Sequence, residues 1–195
     1  MAECSFGLIG KGYVILASDT TAGRSIVKMK EDEDKIKALG PNLIMATGGE
    51  PGDTIQFAEY VERNLRLYHI RHNHTLRPSS AAAWIRRTLA DSLRSRNPYS
   101  VNLILGGYDH TTSTPNLYWI DYLGTMVDVP FAAHGYGAYF ALSTLDRYHD
   151  PEAPLEEGLE TLRKCVREVE KRLIVSLGKF KVKIIDRNGM REIDL

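Results

Sequence analysis

The order of the predicted secondary-structure elements restricts the fold most strongly, because the helices come in two consecutive pairs. Apolar residues recur at helical spacing in three stretches: Phe57, Val61, Leu65 and Tyr68; Ala81, Ile85, Leu89 and Leu93; and Leu159, Leu162, Val166, Val169 and Leu173. Each stretch predicts an amphipathic helix, and one more helix is predicted over residues 138–148. The first pair is expected to begin at Pro51 and near Ser79 or Ser80.

Short runs with strand character precede, separate and follow the helix pairs, at residues 5–9, 13–18, 26–29, 36–39, 43–47, 101–105, 116–122 and 180–184. Asn188-Gly189 then predicts the turn of a final hairpin. Paired helices argue against alternating βαβ units and therefore against a parallel sheet. The sequence predicts an α+β fold, a four-layer αββα sandwich with two antiparallel sheets between helix layers.

The whole chain, residues 1–195, is predicted to form a single domain, because it contains no internal repeat and no long linker. Its 25 basic and 25 acidic residues balance, which argues against nucleic acid or an anionic membrane as a partner. No run of about 18 apolar residues suggests a membrane span. Two cysteines, Cys4 and Cys165, are too few for a disulfide framework, so a reducing compartment is expected. Cys165 is expected to be a buried core residue.

Several segments of the sequence resemble the proteasome beta family and occur in the order that this family shows. They are residues 13–19 (Tyr-Val-Ile-Leu-Ala-Ser-Asp), 46–49 (Ala-Thr-Gly-Gly) and 131–137 (Phe-Ala-Ala-His-Gly-Tyr-Gly). Residues 52–60, 93–96 and 184–189 are similar to the type 4 group of eukaryotic beta subunits in particular. The resemblance covers nearly the whole chain and implies the N-terminal nucleophile hydrolase fold.

The resemblance also implies where catalytic residues would lie. Active members of the family use an N-terminal Thr, whose hydroxyl attacks the peptide carbonyl while its α-amino group acts as general base. An Asp follows that Thr by sixteen residues, and a Lys follows the Asp by sixteen more. Asp19 and Lys35 have this separation, but the residue sixteen positions before Asp19 is Glu3. The chain is therefore expected to be non-catalytic, with Glu3 in the nucleophile position and Asp19 and Lys35 as vestigial positions.

Two other positions differ from those that the resemblance implies for an active subunit. The family's Gly-Ser-Gly, whose Ser supports the nucleophile's amino group, corresponds by ungapped counting to Gly135-Tyr136-Gly137. A supporting Asp that lies three residues before a Ser late in the chain corresponds to Leu173, whereas the Ser is retained as Ser176. Both differences agree with the loss of catalysis.

Asp19, Lys35 and the neighbouring glycines also have structural interpretations. The Asp19 and Lys35 side chains are expected to form a partly buried ion pair that holds two strands together. Gly48-Gly49 before the Pro51 helix could present an oxyanion hole. The alternative is that these glycines only permit a tight turn from strand to helix, and this interpretation is favoured.

Cys4 offers an alternative nucleophile, because removal of three residues would make it an N-terminal thiol. It lies one position away from the nucleophile position, however, and a shift of one residue in a strand sends a side chain to the opposite face. We therefore expect Cys4 to point away from Asp19 and Lys35. The mature chain is expected to begin at Met1 or Ala2.

No cofactor or metal site is expected. His69, His72 and His74 cluster near a helix end, where histidines suit the helix dipole, and no Cys or acidic residue close by in the sequence would complete a metal site. Gly135-Tyr136-Gly137 is similar to part of a dinucleotide-binding motif, but Phe140 occupies the place of the third glycine.

The resemblance implies a structural subunit of the 20S proteasome core particle, which acts in ubiquitin-dependent and other protein degradation in the cytoplasm and nucleus. Its expected partners are other beta subunits of the same ring, the alpha ring, the opposite beta ring and assembly chaperones. One alternative is a self-contained, homo-oligomeric protease similar to the bacterial ATP-dependent type, which should begin with Thr after processing. Another is a free-standing binding module, for which the sequence has no positive signal.

Overall fold

The computed structural model describes residues 3–24 and 27–194 of the chain. The strands and helices within these ranges are β1 (Cys4–Gly10), β2 (Tyr13–Asp19), β3 (Ala22–Arg24), β4 (Val27–Lys30), β5 (Ile36–Gly40), β6 (Leu43–Gly49), α1 (Pro51–His72), α2 (Pro78–Ser92), β7 (Val101–Asp109), β8 (Thr114–Ile120), β9 (Met126–Asp128), β10 (Phe131–Gly135), α3 (Ala138–Tyr148), α4 (Leu155–Arg172), β11 (Phe180–Asp186) and β12 (Gly189–Asp194). Ile26, with which one predicted strand starts, lies outside the described residues. Met1 and Ala2, the expected first residues of the mature chain, also lie outside them.

Two five-stranded antiparallel sheets form the centre of the molecule. The first has the strand order β10-β1-β2-β11-β12 and the second the order β5-β6-β7-β8-β9, while β3 and β4 pair as a separate ribbon. Helices α3 and α4 pack on the first sheet, and α1 and α2 pack on the second. This is the predicted α+β sandwich with layers in the order αββα. Within the described ranges, no helix is long and apolar enough to cross a membrane.

Strand β2 shows how the sequence builds these layers, because its alternate side chains enter different apolar clusters. Ile15 and Ala17 belong to the cluster under α3 and α4. Val14 and Leu16 belong to the cluster between the two sheets. Since all seven residues of β2 are buried, the strand is covered on both faces, which explains its nearly continuous apolar sequence.

The first helix pair agrees with the predicted pattern except at its ends. Helix α1 begins at Pro51 as predicted, and α2 begins at Pro78, slightly before the predicted start, because proline suits the first helical position. Tyr68 is only partly buried. The assignment of Leu93 to a buried helix face is wrong, because α2 ends at Ser92 and the Leu93 side chain is 39% exposed.

The second half of the chain differs from the prediction mainly in short elements. Helix α3 has the predicted bounds, whereas α4 begins at Leu155, after Pro154, and so starts before the predicted apolar face. Strand β8 ends at Ile120 because the Asp121 carboxylate accepts hydrogen bonds from the backbone of the following turn. Strands β3 and β9 were not predicted, since three residues are too few to show an alternating pattern.

One histidine, His134, lies on β10 and faces the second sheet. Its ring stacks on the Trp119 indole with 4.8 Å between the ring centroids. Its Nε2 lies 3.1 Å from the carbonyl oxygens of Leu103 and Ile120, so the tautomer that carries a proton on Nε2 fits this position. Burial lowers the pKa of His134, because a buried imidazolium loses its hydration.

Candidate functional site

An open cleft of about 1370 Å³ brings together several residues singled out from the sequence. It lies where β6 ends and α1 begins, beside the β3–β4 ribbon and the segment that follows α4. Glu3, Lys35 and Ser176 line this cleft. Asp19 is fully buried behind the cleft wall, where it is hydrogen-bonded to two of the lining residues, Lys35 and Thr21.

The ion pair expected from the sequence is present between Asp19 and Lys35. Lys35 Nζ lies 2.8 Å from Asp19 Oδ2 and also donates to the carbonyl oxygen of Thr21 at 2.8 Å. Asp19 Oδ1 accepts a hydrogen bond from the Cys4 amide at 2.9 Å, and Oδ2 accepts one from the Thr21 amide at 3.2 Å. The carboxylate is thus surrounded by three donors.

These contacts give Asp19 and Lys35 a clear structural role. Asp19 ends β2, Lys35 precedes β5, and the Cys4 amide starts β1, so the pair joins three strands that belong to both sheets. Burial raises the pKa of Asp19, while the Lys35 ammonium and the two backbone donors oppose that rise. A pair this buried costs much more to break than an exposed one.

Glu3, which the family resemblance assigns to the nucleophile position, lies at the edge of the cleft. Its Oε2 accepts a hydrogen bond from the Gly49 amide at 2.8 Å. Burial raises the pKa of Glu3, and the nearby Asp19 carboxylate adds to the rise, whereas the Gly49 hydrogen bond and Lys35 lower it. The carboxylate therefore lies in a partly buried site between an amide donor, a cation and another acid.

The glycine pair before α1 serves more than the turn that the sequence interpretation favoured. Gly49 has φ 136°, and a Cβ there would overlap the carbonyl oxygen of Ser100, so the backbone requires glycine. A Cβ on Gly48 would lie 2.9 Å from Glu3 Oε2. The absence of a side chain at Gly48 therefore makes room for the Glu3 carboxylate. The anion held by the Gly49 amide comes from the chain itself, a contact that the sequence analysis missed.

The glycines of Gly135-Tyr136-Gly137 hold the start of β1. Gly135 has φ 80°, and a Cβ there would overlap the carbonyl group of Glu3. A Cβ on Gly137 would overlap the Cys4 thiol. Tyr136 itself is 58% exposed and is not among the residues that line the cleft. Since β10 pairs antiparallel with β1, the segment has no βαβ setting for a dinucleotide.

Leu173 and Ser176, the two positions compared late in the chain, lie in different parts of the structure. Leu173 caps the C-terminus of α4 and packs against the apolar cluster of the first sheet. Ser176 lies in the segment that lines the cleft. The structure thus brings Ser176 to the same cleft as Glu3 and Lys35, whereas the position that the resemblance assigns to an Asp is part of the core.

The Cys4 thiol is remote from the chemistry that an N-terminal nucleophile would perform. Its side chain is fully buried in the cluster between the first sheet and helices α3 and α4, and only its amide faces Asp19. Burial raises the pKa of the Cys4 thiol. Cys165 is also fully buried in this cluster, as expected, and burial raises its pKa to about 12. Neither thiol is poised to react.

The histidines near the end of α1 pack around an aromatic ring. The rings of His72 and His74 lie 4.4 Å and 5.3 Å from that of Tyr68, between centroids. His69 lies one turn earlier, in the last turn of α1. Across the part of the chain that the structure describes, no three His, Cys, Asp or Glu side chains are grouped as a metal site would require.

Hydroxyl groups of Thr21, Thr47, Thr54 and Ser176 also line the cleft. Thr21 donates its hydroxyl to the carbonyl oxygen of Leu177 at 2.5 Å. None of the hydrogen bonds found among the described residues joins one of these hydroxyls to a His, Lys or carboxylate side chain that could serve as a base. Where the described hydroxyls of the cleft have a hydrogen bond, the acceptor is a backbone carbonyl oxygen, that of Leu177 for Thr21 and that of Pro51 for Thr54.

Comparison with known proteins agrees with this fold. A family model described as "Proteasome subunit" matches residues 1–185. Proteasome subunit beta type-4 of Saccharomyces cerevisiae is 45% identical over 188 residues, which cover 96% of this chain and 95% of the relative. Proteasome subunit beta type-2-B of Arabidopsis thaliana is 45% identical over 190 residues, 97% of this chain and 94% of the relative. A probable proteasome subunit beta type-4 of Schizosaccharomyces pombe is 41% identical over 193 residues, 99% and 100% respectively. The chain belongs to the proteasome subunit family.

Proposed function

We propose that the chain is a non-catalytic, structural beta subunit of the 20S proteasome core particle. In this role it completes the beta ring and part of the wall of the chamber in which proteins are degraded. One observation carries the proposal: the residue sixteen positions before Asp19 is a glutamate, Glu3, and its carboxylate accepts a hydrogen bond from the Gly49 amide of the same chain.

The chemistry of Glu3 supports this role wherever the mature chain begins. Attack by a carboxylate on a peptide carbonyl would form an anhydride, which is less stable than the amide that is broken. Processing that exposed Glu3 as the first residue would therefore still provide no hydroxyl or thiol at this position. Processing by one more residue would expose Cys4, but its thiol is fully buried on the other side of the sheet.

The surface of the chain supports assembly with other subunits. Large apolar side chains are exposed at several places outside the two sheets, including Tyr139 on α3 with 78% exposure and Ile174 after α4 with 101%. In the proposed assembly, neighbouring subunits would cover side chains of this kind. The proposed partners are other beta subunits of the same ring, the alpha ring and the opposite beta ring, with assembly chaperones acting before them.

The proposed location is the cytoplasm and nucleus. It follows from the proposed assembly into the core particle, and the two cysteines are compatible with it because both are free and buried.

A covalent probe for N-terminal threonine tests the catalytic part of the proposal. The core particle that contains this chain is treated with a peptide electrophile that reacts with N-terminal threonines, and each subunit is then weighed by mass spectrometry. The expected result is an adduct on the catalytic subunits and an unchanged mass for this chain. An adduct on this chain, lost when the probe's electrophile is reduced beforehand, would contradict a non-catalytic role.

A further inference from the structure

The edge of β6 beside the cleft extends beyond its partner strand. The Thr47 amide donates to the carbonyl oxygen of Lys35 at 3.1 Å, and the pairing of β5 with β6 starts at Ile36 and Ala46. Gly49 lies two residues after Thr47 on β6, so its amide faces the same edge of the strand. Strand β5, which begins at Ile36, does not extend as far as Gly49. An unpaired amide at a strand edge is a point at which an extended peptide can add as a further strand.

In this chain the Gly49 amide already has an internal acceptor. Its hydrogen bond goes to Glu3 Oε2, and the missing side chain of Gly48 leaves space for that carboxylate. The Glu3 backbone is fixed at the same time, because the Cys4 amide binds Asp19 and Cys4 pairs with Gly135 across β1 and β10. Backbone and side chain of Glu3 are thus both held at the edge of the cleft.

The rest of the cleft is suited to an extended chain. Its walls include apolar side chains such as Val27, Met29 and Ile55, which are 59%, 74% and 53% exposed. A peptide lying there would need the Gly49 amide for one of its carbonyl oxygens. With Glu3 in place, that hydrogen bond is unavailable, and a peptide carbonyl or terminal carboxylate would also meet the negative charge of Glu3.

We propose that Glu3 is an internal plug, whose carboxylate occupies the Gly49 amide and so prevents peptides from binding as an extra strand in this cleft. The proposal rests on the non-catalytic role argued above and deepens it. A subunit without a nucleophile would hold a bound peptide without cleaving it, and the plug keeps the cleft free of such peptides.

Photo-cross-linking in the assembled core particle tests the plug. The probe is an acetylated and amidated heptapeptide of alanine with benzoylphenylalanine at its centre, applied after the catalytic sites have been blocked irreversibly. Mass spectrometry then measures cross-links to residues 21–30 and 47–58 of this chain in the wild type and in Glu3→Ala, Glu3→Gln and Glu50→Ala. Glu50 lies in the same cleft, so Glu50→Ala removes the same charge without freeing the Gly49 amide.

Cross-linking is expected to rise about three- to tenfold in Glu3→Ala, the effect of one additional hydrogen bond to the peptide. Glu3→Gln should stay near the wild type, because its carboxamide oxygen can accept from Gly49, and Glu50→Ala should stay there also. An unchanged level in Glu3→Ala, or an equal rise in Glu50→Ala, would overturn the plug.

A substitute variant and the cross-linking level of the wild type provide two further tests of the plug. If Glu3→Ala does not enter the particle, Glu3→Asp replaces it, because the side chain is one methylene shorter and does not reach Gly49. Strong cross-linking to residues 47–58 in the wild type would by itself refute the plug. The threonine probe is applied to a sample of the same particle: an adduct on this chain would show failure of the proposed function, whereas unchanged cross-linking without an adduct would show failure of the plug alone.

Discussion

Replacement of Lys35 by methionine should destabilise the fold by about 3–5 kcal/mol, the usual cost of removing one partner from a buried ion pair. The Lys35 side chain is 7% exposed and that of Asp19 is fully buried, so the Asp19 carboxylate would lose its cation in a site with little access to water. Methionine keeps most of the side-chain volume. The loss therefore reports on charge and hydrogen bonding rather than on a cavity.

The structure indicates where this free energy comes from. Asp19 would keep two backbone donors, from Cys4 and Thr21, but would lose the Lys35 cation, and the Thr21 carbonyl oxygen would lose its Lys35 donor. An unsatisfied buried acceptor costs about 1–3 kcal/mol, and the uncompensated charge accounts for the rest. Asp19→Asn combined with Lys35→Met removes the charge, so the double variant should be about 2 kcal/mol more stable than Lys35→Met alone.

Urea unfolding of the purified chain, followed by the fluorescence of Trp84 and Trp119, measures these differences. Arg87→Met is the matched control, because Arg87 pairs with Asp91 on α2 with side chains 72% and 63% exposed; it should change stability by about 0.5 kcal/mol or less. A Lys35→Met variant as stable as that control would refute the argument. A double variant as unstable as Lys35→Met would refute the assignment of the cost to the buried charge.

Four further variants, grouped in three predictions, test other parts of the structure. His134 has a lowered pKa in the folded chain, so the free energy of unfolding should fall as the pH drops below the unfolded pKa of about 6.5, by at most about 1.4 kcal/mol per pH unit. His134→Gln keeps an N–H donor and should lose this part of the pH dependence. Equal pH dependence of the wild type and His134→Gln in urea unfolding would contradict this role of His134. Gly137→Ala should lower the free energy of unfolding by about 1–3 kcal/mol because the new Cβ meets Cys4. Gly52→Ala, where the Cβ meets nothing within 4 Å, should instead stabilise α1 by about 0.4–1 kcal/mol. A Gly137→Ala variant that unfolds at the wild-type urea concentration would show that the contact with Cys4 is not tight. Glu3→Thr should produce no peptide hydrolysis in particles whose catalytic sites are blocked. The nitrogen of residue 3 remains an amide unless the preceding residues are removed, so it cannot act as general base. Measurable turnover would show that this chain retains the rest of a working catalytic site.

The layers of the fold could be predicted because they follow from side-chain periodicity. Phe57, Val61 and Leu65 mark the buried face of α1, and Leu159 and Leu162 mark that of α4, without knowledge of any long-range contact. The order of the elements then excluded a parallel sheet. The ends of helices were predicted less well, as Leu93 shows, because spacing alone does not reveal where the last turn stops.

The candidate site could be predicted only in part. The family resemblance singled out Glu3, Asp19 and Lys35, and the structure brings them to one end of the sandwich. The hydrogen bond between Glu3 and Gly49 could not be predicted from the sequence. It depends on the direction of the Gly49 amide, at a point of β6 that β5 does not reach, and on the space left by the missing side chain of Gly48. Such details follow from tertiary packing rather than from local sequence.

Native mass spectrometry of the particle that co-purifies with this chain is the most direct test of whether the chain is a subunit of the 20S core particle. The chain is tagged and expressed from its own locus, and every co-purified subunit is identified and counted. We expect a large cylinder of many different related chains, with this chain at one fixed position in each beta ring and therefore present twice. Recovery of a monomer, or of an oligomer of this chain alone, would contradict the account.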